Sequence, residues 1–228
     1  MNKKTKVKRK KFNLFKTLIF LLTLYLIGYG GLFVTKQPIK NIRVFDNYLL
    51  DDQFILEQAK IDNYPSFLFT TNKKIKQRLL KNKLIKDVKI KRSFTFRLDL
   101  YIKEYKLLFY NQDNDTLVLE NKQEINCQKV DISLPILINY VPDTIYDDFI
   151  NSMLVVKNDI SSKISEILYQ PNEVDKERFF LTMTDGNYVY LTLARFKQIN
   201  EYNNILVTLE NKRGILYLDA GNYFEILE

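Results

Sequence analysis

Histidine and tryptophan are absent from this 228-residue sequence, and Cys127 is its one thiol. Those absences together remove Ser-His and Cys-His nucleophile pairs, histidine-based metal sites, cysteine-rich zinc sites and intramolecular disulfides. Cys127, between Asn126 and Gln128, reads as a half-buried strand or loop residue and not as a nucleophile. Glycine is scarce, with six in the chain. Three of them, Gly28, Gly30 and Gly31, fall in one apolar run, so no glycine-rich loop is left to cradle phosphate. Carboxylates remain for catalysis, as in a wall-cleaving hydrolase that sets an acid and a base across a sugar bond. The candidate pairs, Asp51 with Asp52 and Asp147 with Asp148, are sequence neighbours. Such neighbours point about 100° apart on a helix and commonly cap its N-terminus. The expectation is a non-enzyme with no catalytic residue, cofactor, metal or small-molecule substrate.

The formal net charge of +8 is held almost entirely at one end. Residues 1–11 carry Lys3, Lys4, Lys6, Lys8, Arg9, Lys10 and Lys11 with no acid, and the rest keeps 28 basic against 27 acidic residues. A nucleic-acid partner is therefore not expected. Behind this tail, residues 17–34 (TLIFLLTLYLIGYGGLFV) carry no charge and would span about 27 Å as a helix, close to the hydrocarbon thickness of a bilayer. Residues 12–35 are expected to be a transmembrane helix. Lys16 would snorkel at the inner boundary, and Tyr25, Tyr29 and Phe33 would decorate the outer half. The flanking positive charge places the tail in the cytoplasm. The run exceeds a cleavable signal's apolar region and lacks a small-residue cleavage site. The spacing of Gly28, Gly30 and Gly31 is not the one that packs helices closely.

The exterior is expected to be α+β. Residues 39–45 read as a strand ending at the turn signal Asp46-Asn47. Asp51 can cap a helix over residues 52–60, and Thr71 or Asn72 a second one through Ile75, Leu79 and Leu80. Residues 85–92 and 95–104 alternate apolar and charged positions as hairpin strands with one wet face. Strands follow at residues 106–110, 117–120 and 124–127, and then a break at Leu134-Pro135-Ile136-Leu137. Residues 145–158 read as a helix, with 160–167 as a possible second one. Asp185-Gly186-Asn187 sits between strands 179–184 and 188–193 as a tight hairpin turn. A helix over 195–210 and a last strand over 215–219 complete the chain.

Strand, helix, helix, strand, strand is the order of a POTRA domain. The segments PIKNIRVFDNYLLDDQFILEQAKI and NKKIKQRLLKNKLIKDVKIKRSFTFRLDLYIKE resemble the POTRA region of the bacterial cell-division family FtsQ, called DivIB in Gram-positive organisms. Ser93-Phe94-Thr95 stands where that family usually has an aromatic followed by proline, and Asp46-Asn47 where it usually has a glycine. SLPILIN, KISEILY, FFLTMTDGNYVYLTLARFKQ and GILYLDAGNYFEI resemble its beta domain. The expected organisation is a basic tail (1–11), a membrane helix (12–35), a POTRA domain (38–105) and a partner-binding beta domain (106–228).

The resemblance implies a divisome scaffold at the septum. Its POTRA region would serve recruitment, and its beta domain would hold the bitopic partners FtsB (DivIC) and FtsL to control septal peptidoglycan synthesis. From the residues alone the class is an anchored extracytoplasmic interaction module. A barrel-bearing transport protein is disfavoured because the residues after Glu104 lack regular lipid-facing strands. The last strand, with nothing after it to pair on its outer side, is expected to expose an edge for a partner strand at Tyr217, Leu218 and Asp219, with Tyr223 and Phe224 as anchors. Tyr64, Phe67 and Lys76 are the recruitment candidates.

Overall fold

The structure, a computed structural model, describes residues 13–126, 133–210 and 212–227; the basic tail and Cys127 lie outside the described residues. Helix α1, Leu14–Lys36, contains the apolar span Leu14–Phe33, with a mean hydropathy of 1.6 and no residue buried. Twenty residues rise about 30 Å, so this helix is long and apolar enough to cross a membrane. Its polar side chains turn back on the backbone: the Thr23 and Thr35 hydroxyls donate to the carbonyls of Phe20 and Leu32, each at 2.8 Å. Tyr25 and Tyr29 stack on one flank.

The chain divides into two compact units between Lys103 and Glu104. After α1, the first unit runs β1 (Asn41–Phe45), α2 (Asp52–Ala59), α3 (Asn72–Leu79), β2 (Ile85–Arg92) and β3 (Arg97–Glu104). The order is that of a POTRA domain. Asp51 accepts from Gln53 N to start α2, and Lys60 ends it in the left-handed region. Thr71 accepts from Lys74 N to start α3. Strand order is β1-β3-β2, with β1 parallel to β3; the helices form the crossover that a parallel pair requires. Ile55, Ala59, Ile75 and Leu79 of the helices are buried with Val88, Leu98, Leu100 and Ile102 of the strands. Period 2 on the strands and i, i+4 on the helices place these residues on facing surfaces.

The second unit contains β4 (Leu107–Asn111), β5 (Thr116–Leu119), β6 (Glu124–Asn126), β7 (Ile136–Leu137), α4 (Asp143–Leu154), α5 (Asn158–Ser161), β8 (Ile164–Tyr169), β9 (Arg178–Met183) and β10 (Tyr188–Thr192). A 3-10 helix (Leu193–Glu201), α6 (Tyr202–Thr208), β11 (Gly214–Tyr217) and β12 (Tyr223–Ile226) complete it. All nine strands form one sheet in the order β12-β11-β10-β9-β8-β7-β4-β5-β6. The helices bury Phe149, Ile150, Met153, Phe196, Ile199, Tyr202 and Leu206 against Phe109, Phe179, Leu181, Val189, Leu191 and Leu216 of the strands.

Several elements differ from the sequence expectations. The expected break at Leu134-Pro135 opens into β7, a two-residue strand parallel to both β4 and β8; the carbonyl of Pro135 accepts from Tyr110 N at 2.9 Å. The proposed continuation of helix over residues 160–167 is β8 beyond α5, because Ile164 and Ile167 face the core while Glu166 pairs with Thr182 across the ladder. The expected helix over 195–210 begins as a 3-10 helix and becomes α-helical at Tyr202. Residues 215–219 are not the last strand: β12 follows and pairs with β11 antiparallel.

Candidate partner-binding site

The end of the nine-stranded sheet is built from β9 to β12. Phe179, Leu181, Val189, Leu191, Leu216 and Leu218 point into the core. Alternation turns Arg178, Phe180, Tyr188, Tyr190, Tyr217 and Tyr223 to the opposite face. There the rings form a row across four strands. Phe180 packs on Tyr188 at 5.3 Å and on Tyr190 at 4.7 Å. Tyr190 stacks on Tyr217 at 5.2 Å, and Tyr217 on Tyr223 at 4.3 Å. The Arg178 guanidinium lies 3.6 Å from the centroid of Tyr190 and its Nε donates to Asp219 Oδ2 at 2.7 Å. The Tyr217 hydroxyl donates to Glu225 Oε2 at 2.9 Å; that bond, with some desolvation, pushes its phenol up to about 12.

The expected edge moves by one strand. β11 is paired on both sides, parallel to β10 and antiparallel to β12, and Leu218 N donates to Tyr190 O, so Tyr217 and Leu218 cannot offer a free edge to a partner strand, while Asp219 lies past the end of β11. The chain reverses through Gly221 and Asn222, both at positive φ, and returns as β12. Leu218 is 1% exposed in the core, and Asp219 is held by Arg178. Phe224 turns inward and packs against the core, where its ring lies beside Gly214. Tyr223, 52% exposed, stays on the outer face. Leu227 N donates to Arg213 O, and the register continues through Ile226 with Gly214 and Glu225 with Ile215. In an antiparallel ladder this phase turns the backbone groups of Phe224 and Ile226 away from β11, toward the open side.

Sequence reasoning does not single out Arg178, Phe180, Tyr188 or Tyr190, which the structure adds to this outer-face row. Their signal was present in RFFLTM and YVYLT, where aromatic residues occupy both faces of a strand pair and so cannot all be core.

On the first unit the three recruitment candidates separate. Tyr64 is 51% exposed at positive φ. Phe67 packs against the core, edge-on to Phe96 and beneath the Arg92 guanidinium. Lys76 Nζ donates to Asp87 Oδ1 at 2.6 Å and holds that carboxyl below its ordinary range. The carboxylates weighed for catalysis have other tasks: Asp51 caps α2, Asp52 accepts from Asn47, and Asp147 pairs with Lys122. Asp148 lines a groove of about 400 Å³ with Asn151, Glu177 and Lys197. Among the described residues no group of three or more His, Cys, Asp or Glu residues could hold a metal ion.

Comparison with known proteins gives these features a context. Residues 37–105 match the family described as POTRA domain, FtsQ-type. The cell-division protein DivIB of Bacillus anthracis is 28% identical over 96% of this chain and 86% of its own length. DivIB of Bacillus subtilis is 28% identical over 91% and 81%, and that of Listeria monocytogenes 24% over 96% and 84%. A solved structure of the major extracytoplasmic domain of the trans isomer of DivIB from Geobacillus stearothermophilus is 21% identical, with a TM-score of 0.39 over 47% of this chain and 96% of that one. With an FtsQ-type POTRA domain behind an apolar helix, and DivIB relatives aligned along nearly the whole chain, the similarity points to the FtsQ/DivIB family of bacterial cell-division proteins.

Proposed function

We propose that this protein is a non-enzymatic divisome scaffold of the plasma membrane. The basic tail stays in the cytoplasm, α1 crosses the bilayer, and both folded units stand outside at the septum. The POTRA unit serves recruitment, with Tyr64 exposed for contact, while Lys76 and Phe67 have internal partners. The beta domain holds a strand of a small bitopic division protein, FtsB (DivIC)-like or FtsL-like, and thereby governs septal peptidoglycan synthesis.

The observation that supports this reading is the end of the large sheet. β12 is a terminal strand whose outward backbone groups, at Phe224 and Ile226, are available to an added strand. The opposite terminal strand, β6, has three residues and, among the described residues, no comparable aromatic row beside it. Tyr223 and the rings behind it supply side-chain anchorage next to the β12 edge.

Ile226 is 57% exposed, and its N–H is directed away from β11. Ile226→Pro removes that donor while leaving the bonds to β11 intact, since proline is tolerated on edge strands. The expected outcome is loss of co-purification with the FtsB-like partner, with a thermal midpoint within a degree or two of the parent for this edge position. Retained capture in a folded Ile226→Pro protein would show that β12 is not the docking edge.

A further inference from the structure

The end of the POTRA unit nearest α1 has an unusual surface. Ser66 Oγ donates to the carbonyl of Thr35 at 2.7 Å, Phe67 N donates to Gln37 O, and Pro38 bridges Ser66. The loop of residues 65–70 is thereby fastened to the last turn of the helix. Thr35 lies two residues past the apolar span that ends at Phe33, about 3 Å farther along the axis. That level falls within the headgroup zone, which is roughly 5–8 Å thick on each side of the hydrocarbon.

The β2–β3 hairpin tip, residues 93–96, is drawn to the same end. Lys40 N donates to Phe96 O at 2.9 Å, and Lys40 is only four residues from Lys36, a reach of at most about 14 Å. The Arg92 guanidinium bonds the carbonyls of both Phe67 and Thr70, and the rings of Phe67 and Phe96 meet at 5.4 Å.

What this end presents is apolar. Phe94, at the hairpin tip, is 104% exposed, Phe69 is 66% exposed and Leu68 is 44% exposed. Three large apolar side chains at one end of a small unit exceed the scattered exposure of an ordinary soluble surface. Lys36 and Lys40, both exposed, flank them. Apolar tips ringed by cations match a bilayer interface, where rings sit at headgroup depth and lysines meet lipid phosphates.

We propose that the loop of residues 65–70 and the hairpin tip of residues 93–96 dock on the outer-leaflet headgroup region of the bilayer that α1 crosses. Leu68, Phe69 and Phe94 are the apolar anchors, and Lys36 and Lys40 are the cations that meet anionic phospholipid. This rests on the reading of α1 as the membrane anchor. Docking would hold the POTRA unit at a fixed orientation to the membrane.

The absence of tryptophan makes the test direct. Full-length variants carrying a single tryptophan, Phe69→Trp, Phe94→Trp, Tyr48→Trp or Leu22→Trp, are placed in nanodiscs containing phosphatidylglycerol. Quenching is read from brominated acyl chains and from aqueous acrylamide. Tyr48 follows β1, whose far end leads away from the Lys40–Phe96 contact. Leu22 lies within the apolar span.

The expected result is lipid quenching and blue-shifted emission at positions 22, 69 and 94, with acrylamide quenching at 48. Positions 69 and 94 behaving like 48 while 22 is lipid-quenched overturns the docking and leaves the anchor standing. A water-exposed position 22 removes the anchor and the docking with it. Lys36→Glu with Lys40→Glu should reduce lipid quenching at position 69 in anionic discs but not in zwitterionic ones; unchanged quenching would overturn the role given to the lysines.

Discussion

Asp219 and Arg178 couple the outer face of the beta domain to its aromatic row. Their side chains are 9% and 14% exposed, so each charge has been taken out of water and depends on the other. Removing one partner strands a buried charge, whereas replacing both with apolar groups does not. Arg178→Ala is expected to destabilise the beta domain by about 3–5 kcal/mol in urea unfolding, and Arg178→Met with Asp219→Leu to recover most of it. Tyr217 gives a second residue-scale prediction. Its phenol is raised to about 12, chiefly by its bond to Glu225. A raised folded value stabilises fully below the unfolded value of about 10, and that stabilisation is lost as pH rises through 12. The contact between β11 and β12 should therefore loosen between about pH 10 and 12. Glu225→Gln should bring the Tyr217 titration, followed by NMR of ring-labelled tyrosine, back toward the ordinary value.

β12 exists because Gly214 lets it close. A Cβ built on Gly214 would sit 2.1 Å from the carbonyl oxygen of Glu225 and 2.6 Å from the Phe224 ring, and the first of these is backbone that cannot swing aside. Gly214→Ala should detach β12 from β11 and abolish partner capture while β9 and β10 stay paired; amide exchange would show protection lost at Tyr223, Glu225 and Leu227 and at their β11 partners Ile215 and Tyr217, and kept in β9 and β10. The periodic elements were legible from sequence. The POTRA strands and helices, the Asp51 and Thr71 caps and the Asp-Gly hairpin each carry a local signal, in alternation, i, i+4 spacing or turn chemistry. β7 was not legible, because two residues beside a proline have no period to read. β8 was mistaken because ISEILY satisfies both a helical and an alternating reading at six residues. β12 was missed because YFEI is four residues long with an acid among them. Its absence from the sequence reading put the open edge on β11, so Leu218, Asp219 and Phe224 were assigned to a partner when they serve the fold. Tyr217 and Tyr223 lie on the outer face in either reading, since strand parity alone sets that.

The near-neutral sum of the exterior conceals two oppositely charged units. Residues 38–104 hold 15 basic and 8 acidic residues, and residues 105–228 hold 11 and 19. A cationic unit tethered directly to α1 suits anionic lipid, and an anionic unit beyond it does not. Among the described residues the two hydrophobic cores likewise draw on different side chains, so their independence in energy can be tested. Ile75→Ala opens a cavity beneath α3, and Leu191→Ala opens one beneath the large sheet; each should cost its own unit about 2–5 kcal/mol. If the cores are independent, each substitution lowers one calorimetric transition and leaves the other in place, and the double variant costs the sum within about 0.5 kcal/mol. Partner capture by β12 should then survive Ile75→Ala and fail only as Leu191→Ala melts the sheet. A coupling energy above about 1 kcal/mol between Ile75 and Leu191 would mean that one unit supports the other, and recruitment and partner holding would then have to be treated as one function.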